Sequence, residues 1–221
     1  MDQVGPDQPD QVDGERVEKA ARNVLAEQFE SQFGLMNRYV DILTSRGIDW
    51  GLIGPREAGK MWSRHILNCA GLVSLIPEGS TVADIGSGAG LPGLVVAILR
   101  PDLTVTLLES LLRRADFLSE TIEELGLSYR VRVIRGRAEE HDEYYDVVTA
   151  RAVARLKKLL GWAAPLMDER GQLLALKGRS AEAEVLEAEA QLTRARLMAE
   201  VLKVQLSPTA EPSTVVRVRG A

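Results

Sequence analysis

The sequence holds a single cysteine, Cys69, among 221 residues. One thiol excludes an internal disulfide and a cysteine-rich zinc site, so no metal is expected. No apolar run is long enough to cross a bilayer, and the acidic, polar start lacks the pattern of a secretion signal. A cytoplasmic location is the expectation, with no membrane partner. A basic excess is missing too, the formal charge being −5. That number does not by itself exclude nucleic acid. The first 14 residues carry Asp2, Asp7, Asp10 and Asp13 and no Lys or Arg, and without those four carboxylates the remainder stands at −1. A nearly neutral body leaves room for a local basic patch. The hydrophobic content of 45% is ample for a core, and the length suits one domain with a sizeable extension.

The chain is organised around Thr81 to Gly93, TVADIGSGAGLPG. Thr81, Val82, Ala83 and Ile85 read as a short buried strand with one charge, Asp84. Gly86, Gly88 and Gly90 follow, then Leu91-Pro92-Gly93 and the apolar run Leu94 to Leu99. A strand that stops at a glycine turn and reopens as a helix is the first unit of a nucleotide-binding α/β sheet, and Pro92 suits the first helical turn. Two ligands fit the loop. Gly88 to Gly93 satisfies GxGxxG, the dinucleotide fingerprint. Asp84, however, puts a carboxylate where a pyrophosphate would be repelled and an ammonium attracted. The segment therefore looks more like the first motif of S-adenosylmethionine (SAM) methyltransferases than a NAD site.

Around this loop the chain divides into an acidic tail (1–14), a helical cap (15–78) and an α/β domain (79–221). The tail is expected to be disordered. Apolar spacing predicts a helix from Glu15 to Phe33 broken by Gly34, a second ending near Gly47, and a third from about Arg56 to Ala70 carrying Arg64 and His65. The loop Trp50 to Pro55 is too apolar for a simple tether. After the glycine loop, strands at Thr104–Leu108, Val131–Ile134, Tyr145–Thr149 and Gln172–Leu176 alternate with helices. Glu200–Leu206 and Thr214–Val218 finish as strands. Seven strands ending in a hairpin fit the Rossmann-like methyltransferase sheet, whose last strand inserts antiparallel.

Several residues could carry chemistry. Glu109 ends the second strand about 20 residues past the loop, the place of an acid that bonds ribose hydroxyls in NAD and SAM sites alike. In the loop after the third strand, Arg137-Ala138-Glu139-Glu140 could offer an adenine edge a backbone N–H and a carboxylate side by side. Arg151, at the carboxyl end of the fourth strand, suits a cofactor carboxylate or a phosphate. Lys177 has similar placement after the fifth. Arg64 and His65 are neighbours and so do not share a helical face. Arg130, Arg132, Arg135 and Arg137 form a basic cluster of the kind an edge strand carries to deter pairing. No Asn/Asp-Pro-Pro-aromatic segment follows the fourth strand, and Cys69 is not in a Pro-Cys pair. Guanine N7 needs neither device, because its in-plane lone pair attacks without losing a proton and asks only for positioning.

In order along the chain, RHIL (Arg64–Leu67), DIGSGAGLPG, LLES with RRADFL (Leu107–Leu118), RAEE (Arg137–Glu140), TARAV (Thr149–Val153) and ALKG (Ala175–Gly178) resemble the bacterial rRNA small-subunit methyltransferase G family, the glucose-inhibited division protein B group. The likeness covers Met61 to Gly178 motif by motif and the rest by architecture. It implies a class I SAM-dependent methyltransferase acting on N7 of a guanine in the decoding-region loop of 16S rRNA. Its partner would be the small ribosomal subunit or an assembly intermediate, not DNA, and the protein a monomer. By matching position, Gly86, Leu91, Ala138, Glu139 and Arg151 would contact SAM, with Glu109 on the ribose. Asp84, Gly88 and Gly90 complete the cofactor set, and Arg64 and His65 would help Arg151 at the substrate side. Two stretches depart from the family. Asp49 to Gly54 replaces its usual Asn-Leu-Thr segment, and Asn68-Cys69 replaces Asp-Ser. Both lie in the cap, so they bear on substrate contacts. A metabolite methyltransferase, a NAD-dependent oxidoreductase and a non-catalytic RNA-binding protein are the alternatives that the residues leave open.

Overall fold

The computed structural model describes residues 9–208 and 210–221, with side chains from residue 13 onward. Its frame is one seven-stranded sheet in the order β3-β2-β1-β4-β5-β7-β6. The strands are β1 (Thr81–Ile85), β2 (Thr104–Glu109), β3 (Val131–Arg135), β4 (Tyr145–Arg151), β5 (Met167–Lys177), β6 (Leu197–Val204) and β7 (Ser213–Gly220). The first five run parallel, and β7 enters antiparallel between β5 and β6. The expected strand count and final hairpin are both present. Helices α5 (Gly93–Leu99), α6 (Leu112–Glu124), α7 (Leu156–Ala163) and α8 (Ala181–Ala195) make the crossovers.

The period of two along the strands decides where everything else packs. In β1, Val82 belongs to one apolar cluster and Ala83 and Ile85 to the other, on opposite faces. The Val82 side receives α5, all of whose residues are buried, together with Phe117, Leu118 and Ile122 of α6. The Ala83 side receives α7 through Leu156, Leu159, Leu160 and Ala163, at helical spacing, and α8 through Ala181, Ala188 and Leu192.

The N-terminal helices α1 (Pro9–Gln28), α2 (Glu30–Thr44), α3 (Arg46–Asp49) and α4 (Leu67–Ala70) sit on the Val82 side. Leu25, Met36, Tyr39, Leu43, Met61 and Ile66 join the same cluster as α5 and the sheet. Trp50 packs on Phe117 with ring centroids 5.8 Å apart, tying the apolar loop after α3 to α6.

Three local expectations are corrected. Residues Pro9 to Gly14 are the first turns of α1, not disordered tail; residues 1–8 lie outside the described ones. The first break falls at Phe29, and Gly34 lies inside α2. A glycine within a helix costs only about 1 kcal/mol, and the packing of Phe33 on Trp62 at 5.8 Å and under Arg22 holds this turn in place. The third helix is not one α-helix: a 3₁₀ segment (Pro55–Lys60) runs into a π-helical one (Met61–Ile66) and then α4. Such π turns cluster at functional sites.

A Cβ added at Gly34 would meet nothing within 4 Å on this exposed helix face. Gly34→Ala is therefore expected to raise the unfolding free energy by about 1 kcal/mol, read from urea unfolding midpoints. An unchanged or lowered midpoint would show that the turn needs glycine after all.

Candidate active site

The glycine loop after β1 is built on a buried carboxylate. Asp84 is fully enclosed, at 0% exposure. Its register partner on β4 is Thr149, whose hydroxyl donates to Asp84 Oδ1 at 3.1 Å. The Gly93 N–H, at the head of α5, donates to Oδ2 at 3.0 Å. Asp84 thus ties β1, β4 and α5 together beneath the loop. Burial raises its carboxyl to about 7, against the lowering effect of these hydrogen bonds. Asp84 is absent from the lining of the three neighbouring cavities and holds the loop from below through Gly93 and Thr149.

Two glycines are fixed by contact. A Cβ at Gly93 would lie 2.4 Å from Leu107 Cδ2 and 2.7 Å from Asp84 Oδ2. At Gly90, whose φ is +99°, it would lie 2.5 Å from Leu94 and 2.8 Å from the Tyr39 hydroxyl. That hydroxyl donates to the Ala89 carbonyl at 2.8 Å, so the cap touches the loop itself. Pro92 occupies the N-cap position of α5, one residue before the first helical turn.

Above the loop, a cavity of about 510 Å³ is lined by Gly86, Gly88, Leu91, Glu109, Arg151 and Val153, with Leu52, Ile53 and His65 from the cap. Glu109 accepts the Gly88 N–H at 3.0 Å and the Leu111 N–H at 2.9 Å. A carboxylate has about four acceptor positions, so capacity for ligand hydroxyls remains. Gly86, Ser110 and Val153 are shared with a smaller cavity of about 230 Å³ that also contains Ala138, Glu139 and Trp162. A third cavity, about 530 Å³, is lined by Arg64, Asn68, Arg151 to Arg155 and Lys177. Arg151, Ala152 and Val153 border both it and the loop cavity. Ala152 sits there at φ +55°, a conformation that costs a non-glycine residue energy and marks functional turns.

Arg151 anchors this border. Its Nη2 meets His65 Nδ1 at 2.6 Å, and Nη1 donates to the His65 carbonyl at 3.3 Å and to Cys69 Sγ at 3.2 Å. His65 Nε2 meets Glu57 Oε2 at 2.8 Å. A guanidinium can only donate, so Nδ1 must accept and Nε2 must carry the proton given to Glu57. Burial and then Arg151 push the imidazolium below its ordinary pKa, with Glu57 opposing. Glu57 itself is held below the usual carboxylate range, first by the His65 bond.

The sequence-predicted residues are thus sorted. Gly86, Gly88, Leu91, Glu109 and Arg151 meet around one cavity, Ala138 and Glu139 line the adjoining one, and Arg64 faces the third. Gly90 stands behind Ala89 and lines none of these three. His65 has both ring nitrogens engaged and is not free to hold a substrate. It and Arg64, although adjacent, converge on Glu57, Arg64 at 3.1 Å. Lys177 is taken up by the Ala154 carbonyl and Glu184 at 2.6 and 2.7 Å, so it fixes the turn after β4 rather than a ligand. Of the arginine cluster, Arg130 and Arg132 are held by bonds to Ala97, Thr106 and Glu143 on or beside the edge strand β3. Glu57 and Trp162 carry no signal in the sequence, Val153 enters there only as the end of TARAV, and Leu52 and Ile53 only through the apolar character of their loop.

A profile of the family described as rRNA small subunit methyltransferase G matches residues 32–211. The chain belongs to this family. It is 54% identical over 195 residues to the ribosomal RNA small subunit methyltransferase G of Thermobifida fusca (strain YX), a match covering 87% of this chain and 82% of that one. The Renibacterium salmoninarum protein of the same name is 48% identical over 207 residues, covering 92% and 94%. Among solved structures, the ribosomal protein L11 methylase of Lactobacillus delbrueckii subsp. bulgaricus matches with a TM-score of 0.55 at 18% identity, covering 70% of this chain and 77% of that one. An O-methyltransferase from neocarzinostatin biosynthesis, solved with S-adenosylmethionine and a naphthoic acid, matches at 0.54 and 17%, covering 69% and 53%. These last two show the fold alone, that of class I methyltransferases. Family membership sets the NAD reading aside.

Asp84 binds its proton more tightly folded than unfolded, so its contribution to stability falls as pH rises from about 3.8 to about 7. Asp84→Asn should flatten that part of the pH dependence, measured as the difference between variant and wild-type unfolding free energies across the range. Parallel curves would mean that the carboxyl titrates normally.

Proposed function

We propose that this chain transfers the methyl group of S-adenosylmethionine to N7 of a guanine in the 16S rRNA of the small ribosomal subunit, in its decoding-region loop. The observation that carries the reading is the pair of cavities meeting at Arg151, Ala152 and Val153, one floored by the glycine loop and one bordered by arginines. Family membership and the relatives' names support RNA of the small subunit as substrate. No helix among the described residues is long and apolar enough to cross a membrane, and a monomer working in the cytoplasm fits that chemistry.

The residues fit the cofactor. The loop cavity falls in the size range of small-molecule sites, and the smaller one adjoins it through Gly86, Ser110 and Val153. In the smaller one, the Ala138 backbone and Glu139 carboxylate stand beside Trp162 and Val153, a donor, an acceptor and apolar walls for an adenine. Glu109 would hold the ribose hydroxyls, Gly86 and Leu91 would line the chain toward sulfur, and Arg151 would take the amino-acid carboxylate. When bound, S-adenosylmethionine supplies a sulfonium-bound methyl, which passes to N7 while the carbon–sulfur electron pair stays on sulfur. N7 carries no proton, so no general base is required, and His65, engaged at both nitrogens, is not asked to be one. The protein's part is alignment: Ala152 and Val153 set the wall between donor and acceptor, and Arg64 and Arg155 face the side an RNA phosphate would approach.

The test offers labelled S-adenosylmethionine to the purified protein with unmethylated small-subunit rRNA, naked and as assembled subunits. Label in N7-methylguanosine at one site is expected; label elsewhere or in no RNA would overturn the reading. Arg151→Ala should lower turnover roughly 100-fold or more with the fold intact. Full activity in that variant would refute its role.

A further inference from the structure

Glu57 borders none of the cavities around the site, yet it is joined to the residue at their boundary. The chain of contacts runs from Glu57 Oε2 to His65 Nε2 at 2.8 Å and from His65 Nδ1 to Arg151 Nη2 at 2.6 Å. His65 is only 12% exposed at its side chain, and Glu57 31%. Each link constrains the next. An imidazole facing a guanidinium must present a bare nitrogen, and it can do so only if its proton lies on the other nitrogen. Glu57 is the acceptor that keeps it there. Without Glu57 the ring is free to carry the proton on Nδ1, which would set two donors against each other. The Nη1 contacts with the His65 carbonyl and Cys69 hold the rest of that edge. Among the described residues Nε has no partner, so the guanidinium is clamped along one side and keeps donors for a ligand.

We propose that Glu57 and His65 are positioning residues that fix the Arg151 guanidinium for the carboxylate of the methyl donor. Cofactor affinity is thereby made to depend on the irregular segment between Pro55 and Ile66. This rests on the reading of Arg151 as a cofactor ligand and goes beyond it, because Glu57 reaches the cofactor only through two other side chains. The alternative role for Glu57, a partner that merely steadies Arg64 at 3.1 Å, predicts an effect on RNA binding instead.

Four variants of the full chain separate these roles by equilibrium binding of S-adenosylmethionine, with no RNA present. Glu57→Ala should weaken binding about tenfold, the scale of one lost hydrogen bond to a charged group. Glu57→Gln should return to within about twofold, since its amide oxygen still accepts the Nε2 proton. His65→Asn places an oxygen near the former Nδ1 and should keep most of the affinity. His65→Gln places an amide nitrogen near the former Nε2, keeps the bond to Glu57 and should lose affinity as Glu57→Ala does. In turnover, Glu57→Ala should raise the KM for the methyl donor and leave kcat at saturation near wild type. Equal affinities in all four variants, or equal losses with lowered unfolding midpoints, would overturn the proposal. A wild-type chain that binds no S-adenosylmethionine would overturn the functional reading and this inference with it. Normal binding by Arg151→Ala would instead remove only the assignment of Arg151, and with it the role given to Glu57.

Discussion

The structure depends on a carboxylate placed where water cannot reach it. Asp84 accepts the first N–H of α5 and the hydroxyl of Thr149, so strand, helix and neighbouring strand meet at one side chain. Its position also dictates Gly93, because any side chain there would enter Asp84 and Leu107. An apolar residue at 84 would leave a helix terminus unsatisfied beneath the loop, and a larger one at 93 would push the loop off its floor. A buried polar group is costly unless bonded, and here each carboxylate oxygen has a partner. The glycine loop gets its shape from this support as much as from its own glycines.

Much of this was legible in the sequence, and the reasons are physical. Strands in the α/β part read as short, near-continuous apolar runs because both faces of the sheet are covered, while helices such as α6 and α7 keep one apolar stripe. Positions at the carboxyl ends of strands, such as Glu109 and Arg151, are readable because the topology fixes where those ends gather. The cap was less legible. Gly34 carries the strongest helix-breaking signal in its region and breaks nothing, while Phe29, with no such signal, ends a helix. There packing of Phe33, Trp62 and Arg22 overrides local preference.

The site residues divide along the same line. Those that line the cavities from the sheet were visible by spacing. Asp84 and Lys177 were visible as charges in the right place but turned out to serve the scaffold, because spacing says where a side chain starts and not what it reaches. Glu57 was invisible, since it lies outside every motif and matters only through the ring it holds. A π-helical turn, which no apolar period announces, is what lets Arg64 and His65 meet the same carboxylate.

The cap shares one apolar cluster with α5, α6 and the sheet, and Tyr39 is bonded directly to the glycine loop. It is therefore a wall and not a door. Swinging it aside would strip Met36, Leu43, Met61 and Ile66 from their neighbours and tear the loop they help to seat. The cap residues Leu52, Ile53 and His65 that line the cavity above the glycine loop therefore belong to an element whose core is the sheet's own core, so the shape of that cavity and the stability of the fold rest on the same packing.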